Sequence, residues 1–587
     1  MAAPRTPQRK RPQQGRPQQN QPPWVLLGLI LAVVLALHLA FLSAGTGNGV
    51  LRLDQTLQAV VLTMTGNDAG FTQRGLTRPD PTLLGIWVGV WTVVVAGVIG
   101  GSFILWDRRR TRTRGAGLST GAELRKRVTG HGVPAVIPFA HLDGMPVTIR
   151  EEDTSCTIAP PRAGKSAYLA IGRIVDAAGP VVATSTKADV FRVTVKKRSD
   201  HGHVFVFDFD GITRWPDHAR WDMVDGCDNP DAAQSRAAAI VNARPAGSAG
   251  MKDSAHFVEG VKIILRSLLH AAALLPGGTM RDVIRWAQDF TDHEPSAILR
   301  DLSPNGAIWA RELDQWCRED APETIGNTKT TLSRITASLT DARVLALLCP
   351  APTTDGAPDG VEPVAAFRAR DFVTSTDTVY CLVDDSRESS TAPIITALVS
   401  AIIEEAKSVS QHTTSGRLPT AMTLILDEVA NVSPLPQLPN LMSDGGGRGL
   451  HTWIFAQSMS QLVGKWGPEA ATTIFESSAA KIIFGGLADE SFLEKISKLI
   501  GTHLVAQTST SRQRNGTGKD TSSTSTSERE ERRLKVEDIR KIPEGQALLL
   551  YREKEAIVQL TPWWKRPDSD QLHQSQEWSL KLEGITA

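Results

Sequence analysis

Ala159-Pro160-Pro161-Arg162-Ala163-Gly164-Lys165-Ser166 follows a short apolar run and opens a segment with a helical pattern. A loop in that context, closing on Gly-Lys-Ser, is suited to holding phosphate. Backbone N–H groups of the loop and of the helix N-terminus point toward an anion, and the helix dipole adds a favourable field. Lys165 is placed to neutralise β- and γ-phosphate charge, and the Ser166 hydroxyl to bind Mg2+. Pro160, Pro161, Arg162, Ala163 and Gly164 supply the cradle. Where the usual pattern begins with glycine, this chain has Ala159. Gly-Lys-Ser alone arises by chance too often to fix a function, so a second element must agree with it.

That element is Thr423-Leu424-Ile425-Leu426-Asp427-Glu428, an apolar strand ending in paired acids. Asp427 is placed to hold the water shell of Mg2+, and Glu428 to activate an attacking water. Further on, Gly445-Gly446-Gly447-Arg448-Gly449-Leu450 precedes an apolar run that ends at Gln457-Ser458. A glutamine at such a strand tip can sense a γ-phosphate or orient water. Arg448, on a glycine-rich turn, is free to reach a neighbouring subunit as an arginine finger.

Around these motifs, candidate strands fall at 156–159, 181–185, 204–207, 379–383, 422–426, 453–456 and 481–484. Most are continuous β-branched or aromatic runs without polar alternation, as in a parallel sheet buried on both faces. With helices interleaved, the pattern is doubly wound α/β. Between 228 and 372 the strand signal fades. Phe257, Val261, Ile264, Leu265, Leu268, Leu269 and Ala272 recur at helical steps, and helical segments carry Trp286, Trp309 and Trp316. This stretch is expected to be an all-helical domain inserted between two parts of the nucleotide domain, 151–227 and 373–565. The Ser/Thr-rich run 508–527 is expected to be a flexible loop, 547–551 and 556–561 a closing hairpin, and 566–587 a C-terminal tail.

The 587 residues suffice for two or three domains, and 41% hydrophobic content argues against wholesale disorder. A net charge of +1 neither supports nor excludes a nucleic acid partner. The five cysteines are widely spaced with no CxxC pair, which fits neither a zinc site nor a disulfide framework and suits a reducing compartment. His201-Gly202-His203 has the form of a metal pair but lacks further ligands nearby, and reads as a loop before a strand. Motifs of zinc peptidases and serine hydrolases are absent from the sequence.

Two apolar runs, 24–42 and 83–106, are each long enough to cross ~30 Å of hydrocarbon. The basic, Pro- and Gln-rich tail 1–20 and the cluster Arg108, Arg109, Arg110, Arg112 and Arg114 would mark the cytoplasmic side. The expectation is therefore two transmembrane helices joined by an extracytoplasmic loop (43–82), then a juxtamembrane segment (107–150). The protein would be a multi-pass protein of the cell membrane with most of its chain in the cytoplasm.

Taken together, the two expected N-terminal spans, the loop, the Ser185-Thr186-Lys187-Ala188-Asp189 element, the helical insertion, the acidic strand and the block 445–462 resemble the TraG/TraD-type coupling proteins of type IV secretion and conjugation, relatives of the FtsK/HerA motors. The Gly-Arg-Gly turn, apolar strand and Gln-Ser-x-x-Gln ending are the most specific part. The resemblance implies a RecA-like P-loop domain, Mg-ATP hydrolysis and a homohexamer around a channel. It also implies DNA with its bound relaxase, or another protein substrate, as cargo, and secretion-channel components and the cytoplasmic membrane as partners. Lys187 would contact DNA or stabilise the nucleotide domain. Two other readings stay open: a related motor exporting protein only or pumping duplex DNA, and a receptor that binds nucleotide without hydrolysing it.

Overall fold

Strands that are largely apolar and buried at every position, as at 181–185, 378–382 and 422–426, need cover on both faces, and that requirement shapes the sheet. In the computed structural model the described residues are 34–46, 52–95, 97, 118–128, 138–243, 254–304, 306–317, 322–350, 366–384, 388–514 and 520–585. The chain divides into two compact units, Met1–Thr113 and Arg114–Ala587.

In the larger unit the strands begin with β1 (Ala140–Leu142), β2 (Met145–Val147), β3 (Ser155–Ile158), β4 (Val181–Ser185) and β5 (Val204–Asp208). Next come β6 (Arg220–Trp221), β7 (Ala366–Phe367), β8 (Thr378–Leu382), β9 (Met422–Leu426) and β10 (Leu450–Ala456). The last are β11 (Ala480–Phe484), β12 (Thr502–Arg514), β13 (Asp520–Arg532), β14 (Gln546–Tyr551) and β15 (Lys554–Leu560). One 11-stranded sheet has the order β2-β1-β15-β14-β11-β3-β10-β9-β4-β8-β5. From β11 to β5 all neighbours are parallel, and β14, β15, β1 and β2 extend the sheet antiparallel. Alternation along the parallel strands serves two cores. Leu424 and Leu426 of β9, with Ile454 and Ala456 of β10, enter one core. Ile425, Trp453 and Phe455 enter the other.

Helices Pro230–Ala243, Ser254–Leu274, Met280–Gln288, Glu294–Leu302, Gly306–Trp316, Pro322–Thr336 and Ala342–Leu347 lie between β6 and β7. Ser254–Leu274 is their centre and packs against the other helices from Pro230 to Thr336, burying Val261, Ile264, Leu265, Leu268, Leu269 and Ala272. The two short strands that lead into and out of this block pair in parallel, Arg220 with Ala366 and Trp221 with Phe367.

Three segments differ from their expectation. Thr502–Arg514 and Asp520–Arg532 form an antiparallel ribbon where a flexible loop is expected. Threonine favours strands, and with no apolar alternation the run carries no strand signal in its hydropathy. The expected tail contains helix Ser569–Leu582, which buries Leu572 against helix Ala188–Ser199. Arg192 then donates to both carboxylate oxygens of Glu583 at 2.8 and 2.7 Å. Residues 140–147, expected to be juxtamembrane, form the β1–β2 edge of the sheet.

In the smaller unit, helices Leu53–Thr65 and Asp68–Gln73 and the stretches 34–43 and 81–95 meet in a cluster of Ala40, Phe41, Ala59, Leu62, Phe71, Leu76 and Leu84. His38 Nδ1 lies 2.6 Å from Thr56 Oγ1. This corrects the expectation of two transmembrane helices and of a multi-pass membrane localisation: among the described residues no helix is long and apolar enough to cross a membrane. Residues 24–33, 96 and 98–106, and the tail 1–20, lie outside the described residues.

Candidate nucleotide site

Because β3, β10, β9 and β4 are parallel, their C-terminal ends share one edge of the sheet, where ligands bind in open α/β folds. The loop 159–166 leaves β3 at that edge. Ala159 still pairs as a strand residue, its N–H donating to Ala456 O at 3.0 Å, and its methyl is buried in the core. The departure from glycine therefore falls where the chain is still part of the sheet, before the loop bends. The bend follows, with Arg162 at φ 64° and Gly164 at φ 82°. Ser166–Ala170 forms a π-turn before helix Ile171–Asp176, a local irregularity common at functional sites.

Lys165 Nζ is 3.1 Å from Asp427 Oδ1 and also donates to Glu428 Oε1. Ser166 Oγ donates to Asp427 Oδ2 at 3.2 Å, and Gln457 Nε2 to Glu428 Oε2 at 2.8 Å. The acids leave the end of β9 through a kink in which Glu428 takes φ 50°, a conformation a glutamate holds only where its surroundings fix it. Side-chain exposures of 12%, 6% and 10% for Lys165, Asp427 and Glu428 mean that all three charges are largely desolvated. Burial works against the Lys165 ammonium, but the two carboxylates outweigh it and hold its pKa above the ordinary value. Burial pushes the Asp427 carboxyl upward, Glu428 adds repulsion, and Lys165 opposes both.

The structure brings Lys165, Ser166, Asp427, Glu428 and Gln457 together, with Pro160, Pro161, Ala163 and Gly164 in the adjoining turn. Arg448 is elsewhere. It precedes β10, whereas Gln457 follows it, so the two lie at opposite edges of the sheet, roughly 23 Å apart at 3.3 Å per residue. Arg448 Nε pairs with Asp444 at 3.2 Å. Its glycine-rich turn is packed closely: a Cβ on Gly446 would lie 1.8 Å from Glu152 O. Lys187 is exposed at the end of β4, on the same edge as the loop. His201 Nδ1 contacts Lys197 O at 2.9 Å, and the His203 N–H donates to Asp377 at 2.7 Å, which leaves the pair in a strand-entry loop.

Two supporting residues have no role in the sequence reading of the site, although Gln461 closes the Gln-Ser-x-x-Gln ending noted there. Thr184 Oγ1 donates to Asp427 O at 3.1 Å, and nothing in an apolar run marks that threonine. Gln461 Oε1 accepts from Gln457 N at 3.0 Å, fixing the strand tip, and its four-residue spacing from Gln457 is the signal that could have found it.

A parallel sheet that gathers a loop lysine, a serine and two strand-end acids at one edge defines a RecA-like P-loop α/β protein. The bacterial conjugative coupling protein TrwB is similar in fold, with a TM-score of 0.54 at 16% identity over 76% of this chain and 91% of that one. TrwB in complex with the ATP analogue ADPNP is similar at TM-score 0.54 and 15% identity, and TrwB with ADP and Mg2+ at 0.53 and 15%, each over 76% of this chain and 93% of that one. Residues 142–302 match the family model for type IV secretory system conjugative DNA transfer, and 421–544 the model for the TraM recognition site of TraD and TraG. The first segment contains the loop; the second contains Asp427, Glu428, Arg448 and Gln457. No curated protein matches the chain in sequence. In these two segments and in its fold the chain is similar to the TraG/TraD-type coupling proteins of type IV secretion.

Proposed function

We propose that the chain is an ATP-hydrolysing motor that drives relaxase-bound single-stranded DNA into a type IV secretion channel, working as a homohexamer. The observation that carries this reading is the convergence of Lys165, Ser166, Asp427, Glu428 and Gln457 in one desolvated cluster. The TrwB complexes with an ATP analogue and with ADP and Mg2+ support the same ligands here. The donor set fits them, since a serine hydroxyl and a carboxylate oxygen are the hard ligands that Mg2+ takes. Bound there, Mg2+ supplies positive charge against the phosphate oxygens.

In this mechanism Lys165 exchanges its two carboxylates for the phosphates, while the backbone of residues 160–164 wraps them. Ser166 would hold Mg2+ through its hydroxyl, and Asp427 through the metal's water shell. Glu428, released from Lys165, accepts a proton from the water that attacks the γ-phosphorus, and the Gln457 amide orients that water as the bond to the β-phosphate oxygen breaks. Arg448, at the far edge of its own sheet, acts on the site of a neighbouring subunit.

ATP turnover by the full chain, measured without nucleic acid, with single-stranded DNA and with duplex, tests the reading. Stimulation by single strands is expected, lost in Glu428→Gln. Preference for duplex would make the protein a duplex pump, indifference to DNA would favour protein export, and binding without turnover would sink the motor.

A further inference from the structure

Tyr168 lies one helical turn beyond Gly164, and its backbone N–H donates to Gly164 O at 2.9 Å. Its ring rests against the phosphate loop, so closely that a Cβ on Gly164 would meet Tyr168 Cε2 at 2.6 Å. Trp564 is its aromatic neighbour, with ring centroids 6.3 Å apart and planes tilted by 53°. Trp564 is 46% exposed, an uncommon state for so large a ring in this chain's core-forming unit. It is held from behind by Trp563, edge to face at 5.8 Å and 82°, which in turn packs on His573 at 4.7 Å. Tyr168 also lines a cavity of about 410 Å³ with Pro138, Phe139, Pro146 and Gly172. The charged residues on its wall are already matched: Arg566 donates to both oxygens of Asp176 at 3.0 and 2.6 Å. What this region offers a ligand is aromatic and apolar surface, continuous with the loop through Tyr168.

We infer that Tyr168 and Trp564 form the platform on which the nucleobase stacks when the phosphates of a nucleoside triphosphate lie on the loop 159–166. The inference rests on the nucleotide reading of that loop and adds the base subsite to it. Every base has a π-face, and stacking on an aromatic side chain requires no hydrogen-bonded readout. The rigid backing of Trp564 by Trp563 keeps its ring oriented at little entropic cost.

The test compares two probes, ATP and inorganic tripolyphosphate, each with Mg2+, binding to the full-length protein and to Tyr168→Ala, Trp564→Ala, Trp564→Phe and Lys165→Ala. ATP affinity should fall at least about fivefold in the two aromatic-to-alanine variants, while tripolyphosphate affinity stays within about twofold. Trp564→Phe should retain most ATP affinity, because an exposed ring replaced by a smaller one leaves the fold intact and still stacks. Lys165→Ala should lose both probes. Equal loss of both probes in the aromatic variants, or unchanged ATP affinity in them, overturns the platform while leaving the phosphate loop standing. Failure of the unaltered protein to bind either probe overturns the loop reading, and the platform with it.

Discussion

Lys165 is held by two carboxylates at once, so only a more strongly charged anion can draw it away. A triphosphate is such an anion, and its arrival leaves Glu428 without its cation and hydrogen-bonded only to Gln457. Glu428→Gln keeps the shape and the contact to Gln457 but removes the proton acceptor. Nucleotide affinity should therefore stay within a few fold, while turnover falls by about 100-fold or more; binding and single-turnover measurements on the same preparation separate the two. Unchanged turnover would remove Glu428 from the role. At this scale the sequence is a good guide to which residues meet where strand ends set their position, as at Asp427, Glu428 and Gln457. It is a poor guide where a turn decides which edge of the sheet a residue occupies, as at Arg448. Nothing in Gly-Gly-Gly-Arg-Gly tells whether the arginine faces its own loop, and the fold puts it at the opposite edge.

Among the elements, helix Pro230–Ala243 of the inserted block is joined to helix Glu388–Gln411 of the sheet layer through Ser235, which donates to Glu404. Burial raises the Glu404 carboxyl from 4.5 to about 7, with Arg236 and Lys407 opposing the rise. The folded state thus binds a proton more tightly than the unfolded chain. Its stabilising contribution is full below about pH 4.5 and is lost as the pH climbs through 7. Glu404→Gln carries no charge to desolvate, so its Tm should decline less than that of the unaltered protein between pH 5 and pH 8. Parallel declines would show that this joint does not respond to pH. The strands were legible because burial on both faces leaves few polar and no charged residues in them: 181–185 and 422–426 fall where β4 and β9 do. The ribbon at 502–532 was not, since its pairing is local and leaves no mark on apolar periodicity. Helix Ser569–Leu582 was missed for a related reason: few of its residues are buried, and an Arg192–Glu583 ion pair helps to hold it.

For the whole molecule, an arginine at one sheet edge and a lysine site at the other make a subunit that is incomplete alone in the proposed ring. Mixing Arg448→Ala with Lys165→Ala subunits should restore part of the turnover that each lacks, because a mixed ring can seat an intact arginine against an intact loop. No recovery at any mixing ratio would count against action between subunits. The overall plan of sheet, loop and helical insertion was readable from order and spacing. The first apolar runs misled because hydropathy gives only the length of a run: among the described residues, parts of both runs pack with helices Leu53–Thr65 and Asp68–Gln73 in one cluster, and no helix is long and apolar enough to cross a membrane. One detail of the plan has a consequence for how such a protein diversifies. Since β6 and β7 lie side by side, the helical block between them begins and ends at nearly one point. Helices can be lengthened, lost or exchanged there without shifting the register of any strand in the main sheet. The block behaves as a cassette, free to change while the strands of the main sheet and the loop 159–166 stay where they are.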